Sequence, residues 1–172
     1  MTYRVIVSVI IAVCVVLFLC LAGLVGFSAG RITQVCPAES SLLEATWTIE
    51  RAKVTAVIDG DTIEIEGRER VRYIGIDTPE IDECYGPEAT KANRELVEGK
   101  EVILIRDVEN QDKYNRLLRY VIADGRFVNA ELVRLGYAEA RFYGESVMFQ
   151  QVLTLFGRYA MEQKVGLWGQ CQ

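Results

Sequence analysis

The sequence predicts a mainly β domain of the α+β class, in which five strands close into a small barrel, three helices pack on it and one transmembrane helix precedes it. Three observations favour this fold class. Short β-rich runs separated by Asp-Gly and Gly turns dominate the middle of the chain, segments with helical apolar spacing lie between and after them, and a long uncharged run comes first. Barrel closure is expected because it removes the exposed edges that an open sheet would keep.

The first element is a run of 25 residues, 5–29, without a charge or a proline. As a helix of about 1.5 Å per residue it exceeds the hydrocarbon core of a bilayer, which is roughly 30 Å thick. We therefore expect a single-pass membrane anchor over residues 1–31, with the later residues outside the cytoplasm because Arg4 and the terminal amine favour an inner N-terminus. A cleaved signal peptide and a secreted product are the alternative, with Ser28-Ala29-Gly30 as the cleavage site.

A short linker is expected at residues 32–46, followed by the barrel domain over residues 47–172. Its first two strands are predicted at 54–58 and 62–66, on either side of Asp59-Gly60-Asp61, because an Asp-Gly pair between β-rich runs is a strong hairpin signal. A third strand is predicted at 70–76. The remaining elements follow from the same criteria, with strands at 101–106 and 117–123 and helices at 87–98, 129–135 and 147–165.

The composition limits the chemistry that the domain can perform. The chain has no histidine, so it cannot contain a Ser-His-Asp triad, a zinc site with a histidine ligand or an imidazole base. The whole chain carries a net charge of −5, and the residues after Arg31 keep 17 basic against 24 acidic groups, a net charge of −7. A polyanionic partner must therefore be bound by clustered arginines and bound cations, and not by a generally basic surface.

Acidic and basic side chains gather where the first three strands end. Strand alternation places Asp61 and Arg72 on core-facing sides of their strands, where charges need partners. The segment Asp77-Thr78-Pro79-Glu80 adds two carboxylates, and a bend at Gly75 is needed to bring Asp77 towards Arg72. Clustered carboxylates and backbone carbonyls suit a hard cation such as Ca²⁺ or Mg²⁺. Each motif alone is more typical of an ordinary turn, so the interpretation depends on their combination.

Taken together, these segments resemble the staphylococcal nuclease-like (thermonuclease) family, over about residues 50–168. The resemblance is carried by ordered motifs, which are VIDGDT at 57–62, RYIGIDTPE at 72–80, YGPEA at 85–89, DKYNR at 112–116, ADG at 123–125, VN at 128–129, LVR at 132–134 and GLW at 166–168. It implies a five-stranded OB-fold barrel with three helices. It also implies a calcium-dependent phosphodiesterase, a nuclease that hydrolyses DNA or RNA and is expected to act as a monomer.

The resemblance also assigns roles to individual residues. The implied catalytic set consists of Asp61, Asp77 and the Thr78 carbonyl as Ca²⁺ ligands, Glu80 as the general base and Arg72 and Arg116 as phosphate-binding groups. The implied substrate-binding set consists of Lys113 and Tyr114 near the nucleotide and Phe142 for base stacking. A non-catalytic binding module of the same fold is the alternative, and the presence of all five ionic residues argues against it.

Three features depart from the family pattern. The segment between Glu80 and Tyr85 is short and acidic where the best-known member has a longer basic loop, Asn115 replaces a glycine, and the domain is acidic. Asn accepts a positive φ better than most residues. These departures concern the affinity for a polynucleotide and leave the implied catalytic residues in place.

The five cysteines divide into two groups. Cys14 and Cys20 lie in the apolar run and act there as small hydrophobic residues. Cys36, Cys84 and Cys171 allow three pairings, or none, and the sequence does not choose among them. We favour a disulfide between Cys84 and Cys171, because the loop before the first helix and the C-terminal tail can meet.

Overall fold

The computed structural model of the protein describes residues 48–171. The predicted transmembrane helix at 1–31 and the linker at 32–46 lie outside the described residues. No helix within residues 48–171 has both the length and the apolar character needed to cross a bilayer.

The described strands form a closed barrel. They are β1 (Ile49–Val57), β2 (Thr62–Ile65), β3 (Arg70–Tyr73), β4 (Ile76–Asp77), β5 (Glu101–Ile105), β6 (Leu117–Ala123), β7 (Arg126–Phe127) and β8 (Glu139–Ala140). The order in the main sheet is β3-β2-β1-β5-β6-β7, and a parallel pairing of β3 with β6 closes it. The five long strands of this barrel are those predicted from the sequence.

Three helices pack on the barrel and a fourth is a single turn. They are α1 (Gly86–Val97), α2 (Val128–Arg134), α3 (Gln150–Glu162) and α4 (Leu167–Gln170). The first three correspond to the predicted helices, although α3 is shorter than the expected 147–165. The sequence analysis did not predict α4, which follows a positive φ at Gly166.

Two strand boundaries differ from the prediction by more than one residue. β1 begins at Ile49, five residues before the expected start at 54, because residues 49–53 pair with β5 along their whole length. The expected strand over 70–76 is divided into β3 and β4 by Gly75, whose φ is +77°. A Cβ at Gly75 would lie 2.7 Å from a ring carbon of Phe142, so only glycine fits the bend.

The core fills the barrel and continues under the helices. Strand alternation is visible in β3, where Val71 and Tyr73 are buried and the residues beside them are not. Leu132 of α2 and Leu153 of α3 extend the same cluster of buried side chains. A disulfide joins Cys84 to Cys171 with a Cα–Cα distance of 5.8 Å, which is the pairing that the sequence analysis favours.

Candidate active site

A cleft of about 570 Å³ opens at the ends of β2 and β3. Eight of the nine residues that the sequence analysis assigned to catalysis, metal or substrate line it, namely Asp61, Arg72, Asp77, Thr78, Glu80, Lys113, Tyr114 and Arg116. They come from the β1–β2 turn, from β3, from the end of β4 and the loop after it, and from the loop before β6. The fold therefore brings together side chains that are spread over 56 positions of the chain.

Arg72 lies at the centre of the cleft and bonds to both candidate metal ligands. Its Nε is 3.0 Å from Asp61 Oδ1, and its Nη2 is 2.7 Å from Asp77 Oδ1. Its Nη1 donates two hydrogen bonds of 2.7 Å, to the carbonyl oxygens of Tyr73 and Ile76. Three hydrogen bonds and the Nε ion pair of this guanidinium thus fix the bend and both carboxylates. The convergence of Asp77 with Arg72, which the sequence analysis required of a bend at Gly75, is present.

Asp61 is a buried carboxylate, 5% exposed. Its Oδ2 accepts hydrogen bonds from the Thr78 backbone N–H at 2.9 Å and from the Thr78 hydroxyl at 3.1 Å. Burial nevertheless raises the pKa of Asp61 to about 6, with a further rise from Asp59, against the lowering effects of Arg72 and Thr78. The negative charge of Asp61 is therefore incompletely compensated by the protein, and an added cation would stabilise it.

The turn that carries Asp61 is tied to α1. The Asp61 N–H donates to Asp59 Oδ1 at 3.0 Å, and Asn93 of α1 donates from Nδ2 to the Asp59 carbonyl oxygen at 3.0 Å. Asn93 in turn accepts a hydrogen bond of 2.9 Å from the buried Tyr73 hydroxyl. The sequence analysis missed Asn93, because a buried polar residue within a helix has no local signature of the loop that it supports.

Asp77 is held on its second oxygen by Arg141, which the sequence analysis also missed. Arg141 Nη1 lies 2.8 Å from Asp77 Oδ2, and Arg141 Nη2 lies 2.9 Å from Glu139 Oε2. The small β4–β8 sheet places Asp77 opposite Glu139, and the Arg141 N–H donates to the Gly75 carbonyl oxygen at 3.0 Å. The only signal in the sequence was a basic residue next to two aromatic ones after the second helix.

Glu80 lies at the exposed rim of the cleft. Its backbone N–H donates to Glu83 Oε2 at 2.9 Å, which orders the short acidic loop. A Cβ at Gly86 would collide with the Glu80 carbonyl oxygen, so this glycine allows the start of α1 to pack directly under the loop. Among residues 48–171 the Glu80 carboxylate forms no ion pair within 4 Å, and it is accessible to solvent.

Arg116 occupies the opposite wall and is held by Asp112. Arg116 Nε lies 2.7 Å from Asp112 Oδ2, while the backbone N–H groups of Tyr114 and Arg116 donate to Oδ1. Partial burial acts to raise the pKa of Asp112, but these hydrogen bonds outweigh it and hold that pKa below its ordinary value. Asn115 has a φ of +63° in this turn, a conformation that Asn tolerates. Lys113 and Arg116 lie 5.0 and 5.4 Å from the centre of the exposed Tyr114 ring.

Phe142 is the one assigned residue that the structure places elsewhere. It packs against the barrel core beside Gly75 and Leu153, and it does not line the cleft. The exposed ring at this wall belongs to the next residue, Tyr143, which is 63% exposed and lines the cleft. The tight bend at Gly75 accounts for the difference, because it leaves a space that the Phe142 ring fills.

The oxygen atoms at the cleft could supply some, but not all, of the ligands of a hard cation. Within the described residues, no three Asp, Glu, Cys or His side chains converge as a metal cage. Two carboxylates, those of Asp61 and Asp77, and the Thr78 carbonyl supply oxygen donors of the kind that Ca²⁺ prefers, and the remaining positions would fall to water or substrate. Burial is the main cause of the raised pKa of Asp61, so a cation bound beside this carboxylate would offset the cost of burying its charge.

Comparisons with known proteins point to one family. Residues 70–170 match the family model described as staphylococcal nuclease homologue. A thermonuclease of Staphylococcus hyicus is 29% identical over 161 residues, which cover 88% of this chain and 95% of that protein. A thermonuclease of Staphylococcus intermedius is 35% identical over 124 residues, covering 67% of this chain and 74% of its own length. Endonuclease YncB of Bacillus subtilis is 35% identical over 132 residues, or 70% of this chain and 60% of that protein.

Proposed function

This chain belongs to the staphylococcal nuclease family, and from that premise we propose that it is a calcium-dependent nuclease that hydrolyses the phosphodiester bonds of DNA or RNA. One observation carries the proposal. Arg72 bonds to Asp61 and Asp77 at once, at 3.0 and 2.7 Å, inside a cleft whose walls also hold Glu80 and Arg116. A single phosphodiester group that entered this cleft would meet two guanidinium groups and a carboxylate base.

The two arginines bind and stabilise the reacting phosphate. A phosphodiester gains negative charge in the pentacoordinate transition state, and guanidinium N–H groups offer charge-assisted hydrogen bonds to its oxygens. Arg72 keeps one N–H group unused by the described contacts, and the Nη groups of Arg116 have no partner among residues 48–171. Both side chains therefore have donors available for substrate.

Glu80 acts as the general base in this proposal. Its carboxylate lies at the solvent-exposed rim, where it can accept a proton from a water molecule that attacks phosphorus. Asp61, Asp77 and the Thr78 carbonyl would hold Ca²⁺, which supplies charge neutralisation of the phosphate and lowers the pKa of bound water. The chain has no histidine, and a carboxylate is a base that it can supply.

Lys113 and Tyr114 are the proposed contacts to the nucleotide. The Tyr114 ring is 66% exposed and flanked by two cations. Stacking of a base on such a ring is tolerant of sequence, which suits a nuclease of broad specificity. We also propose a monomeric enzyme anchored in the membrane by residues 1–31, or secreted, with its domain outside the cytoplasm. The disulfide between Cys84 and Cys171 supports an oxidising compartment.

The proposal is tested by digestion of single-stranded DNA with the purified full-length chain. We expect cleavage to require Ca²⁺, to stop with a chelator, and to fall by about 10²- to 10⁴-fold in Glu80→Gln, because the base is lost. Glu162→Gln is the matched control, since Glu162 is exposed at the end of α3 and lines no cleft.

Two results would contradict this function. Equal digestion by wild type and Glu80→Gln would place the chemistry at another site. DNA binding by the wild type without any cleavage, at any Ca²⁺ concentration, would instead indicate the non-catalytic binding module.

A further inference from the structure

A second groove adjoins the cleft on the side of the β2–β3 turn. It has a volume of about 560 Å³ and is lined by Arg68, Glu69 and Arg70 on one side and by Tyr114, Asn115 and Arg116 on the other. Tyr114 and Arg116 line the cleft as well, so the two depressions share a wall. A ligand that leaves the cleft past Arg116 would enter this groove.

Arg70 and Arg72 point to the same face of β3. The burial pattern along this strand alternates, with Val71 and Tyr73 buried in the barrel and the two arginines outside. Residues two apart on a strand are separated by roughly 6.6 Å, which is comparable to the spacing of successive phosphates along an extended nucleic-acid strand. Arg70 therefore repeats the position of Arg72, one step away from the cleft.

The closure of the barrel brings Arg70 next to Arg116 as well. β3 and β6 pair in parallel, with Val71 opposite Leu117 and Arg72 opposite Leu118. The residues just before these pairs, Arg70 and Arg116, are therefore neighbours across the closure. Arg70 and Arg72 of β3 and Arg116, just before β6, thus form one continuous basic row.

The charge of this groove differs from that of the chain as a whole. Among residues 48–171, neither Arg68 nor Arg70 forms an ion pair within 4 Å. Glu64 lies opposite Arg70 in the β2–β3 register, but its carboxylate is within 3.5 Å of the Thr55 hydroxyl. Glu69 is the one acidic residue of the groove, against three arginines. In a chain of net charge −5, this is a local site of attraction for a polyanion.

We propose that Arg70, assisted by Arg68, binds the backbone phosphate next to the one held by Arg72 and Arg116, so that the groove is a subsite for single-stranded nucleic acid. This inference rests on the proposed nuclease function and deepens it. The subsite is engaged only by substrates with more than one phosphate. The subsite allows an acidic chain to bind nucleic acid, because a row of arginines contacts the nucleic-acid strand and a generally basic surface is not needed.

The test compares two substrates with the full-length chain. One is a thymidine dinucleotide with a single phosphate, and the other is an oligothymidylate of eight nucleotides. We expect Arg70→Gln to lower the ratio of kcat/KM for the octamer to kcat/KM for the dinucleotide by about tenfold, mainly through KM, since one charge-assisted contact is lost. Arg68→Gln is expected to lower the ratio less, and Arg70→Lys to keep most of it.

Salt dependence provides the second readout. A fluorescent octamer is titrated in chelator with the Glu80→Gln chain, in which cleavage is expected to be slowed most, at several salt concentrations. Adding Arg70→Gln should reduce the slope of log Kd against log salt by about 1, as expected for one lost phosphate contact. Arg158→Gln is the matched control, because Arg158 is exposed on α3 and lines neither cavity.

The outcomes separate this inference from the proposed function. If the wild type cleaves both substrates and Arg70→Gln leaves their ratio and the salt slope unchanged, the subsite is wrong and the nuclease stands. If the wild type cleaves neither substrate, the nuclease function fails, and the salt slope alone decides whether Arg70 binds phosphate. An equal loss on both substrates would place Arg70 in support of the cleft itself and overturn the subsite.

Discussion

The two arginines that face the cleft are held in very different ways. The Arg72 side chain is 12% exposed, and its guanidinium forms ion pairs with two carboxylates and hydrogen bonds with two carbonyls. The Arg116 side chain is 27% exposed, and its guanidinium forms one described ion pair, from Nε to Asp112. A largely buried charge held by several partners is fixed in place, whereas a more exposed one with a single ion pair can move. The comparison indicates that Arg72 orders the two candidate metal ligands, while Arg116 is free to follow a phosphate bound in the proposed site.

The largest effect that would sharpen this comparison is on stability. Arg72→Gln breaks a buried ion pair with Asp61 and a partly exposed one with Asp77, and we expect a loss of about 3 to 5 kcal/mol in the free energy of unfolding. Arg116→Gln should cost less than about 1 kcal/mol, because its ion pair is near the surface. Both should lower kcat by roughly 10²- to 10³-fold through loss of a phosphate donor. Urea denaturation and DNA cleavage measure the two properties, and equal losses of stability would refute the distinction.

The second effect is the pH dependence of the free energy of unfolding. It has opposite signs for Asp61, the partner of Arg72, and Asp112, the partner of Arg116. The raised pKa of Asp61, about 6 against 3.8, means that the fold binds this proton more tightly than the unfolded chain. The contribution of Asp61 to the free energy of unfolding in chelator should therefore fall by up to about 3 kcal/mol as pH rises from about 4 to 6, and then level. The pKa of Asp112 is lowered, so its contribution is present at neutral pH and is lost as pH falls through its folded value.

Two variants isolate these contributions. The difference in unfolding free energy between wild type and Asp61→Asn should change with pH between about 4 and 6, and Asp112→Asn should remove a stabilisation that disappears in acid. Only the pH-dependent part of each difference is interpreted, since both variants also lose hydrogen bonds. A flat difference curve for Asp61→Asn would show that its carboxyl titrates normally.

The smallest effect concerns how Asp77 is positioned. Arg72 contacts Oδ1 of Asp77, and Arg141 contacts Oδ2. Arg141→Gln should therefore loosen Asp77, a candidate Ca²⁺ ligand, and weaken the affinity for Ca²⁺ by about tenfold. The increase in thermal unfolding midpoint with added Ca²⁺ measures this affinity without reference to activity. Arg134→Gln is the control, because Arg134 has similar exposure and pairs with Glu131 on the same helix. Unchanged affinity in Arg141→Gln would limit Arg141 to a surface contact.

Local sequence was sufficient for most elements of the barrel. The hairpin at Asp59-Gly60-Asp61, the first turn of α1 with Pro87 and the end of this helix before Gly99 follow from turn and helix-end chemistry that acts over a few residues. The ordered motifs also sufficed to select eight residues that line one cleft. The bend at Gly75 was predictable because a straight strand would place Arg72 and Asp77 on opposite faces.

Other features of the site depend on contacts between residues that are distant in the sequence, and only the tertiary structure determines them. Arg141 meets Asp77 across 64 positions, and Asn93 meets Asp59 across 34. The early half of β1, the β4–β8 pair and the inward packing of Phe142 likewise depend on partners that no local pattern names. Periodicity records which face of an element is apolar, and not which other element will cover it. The identity of the strands and the candidate catalytic side chains was therefore present in the sequence, whereas their supports and the arginine row arose only when the barrel closed.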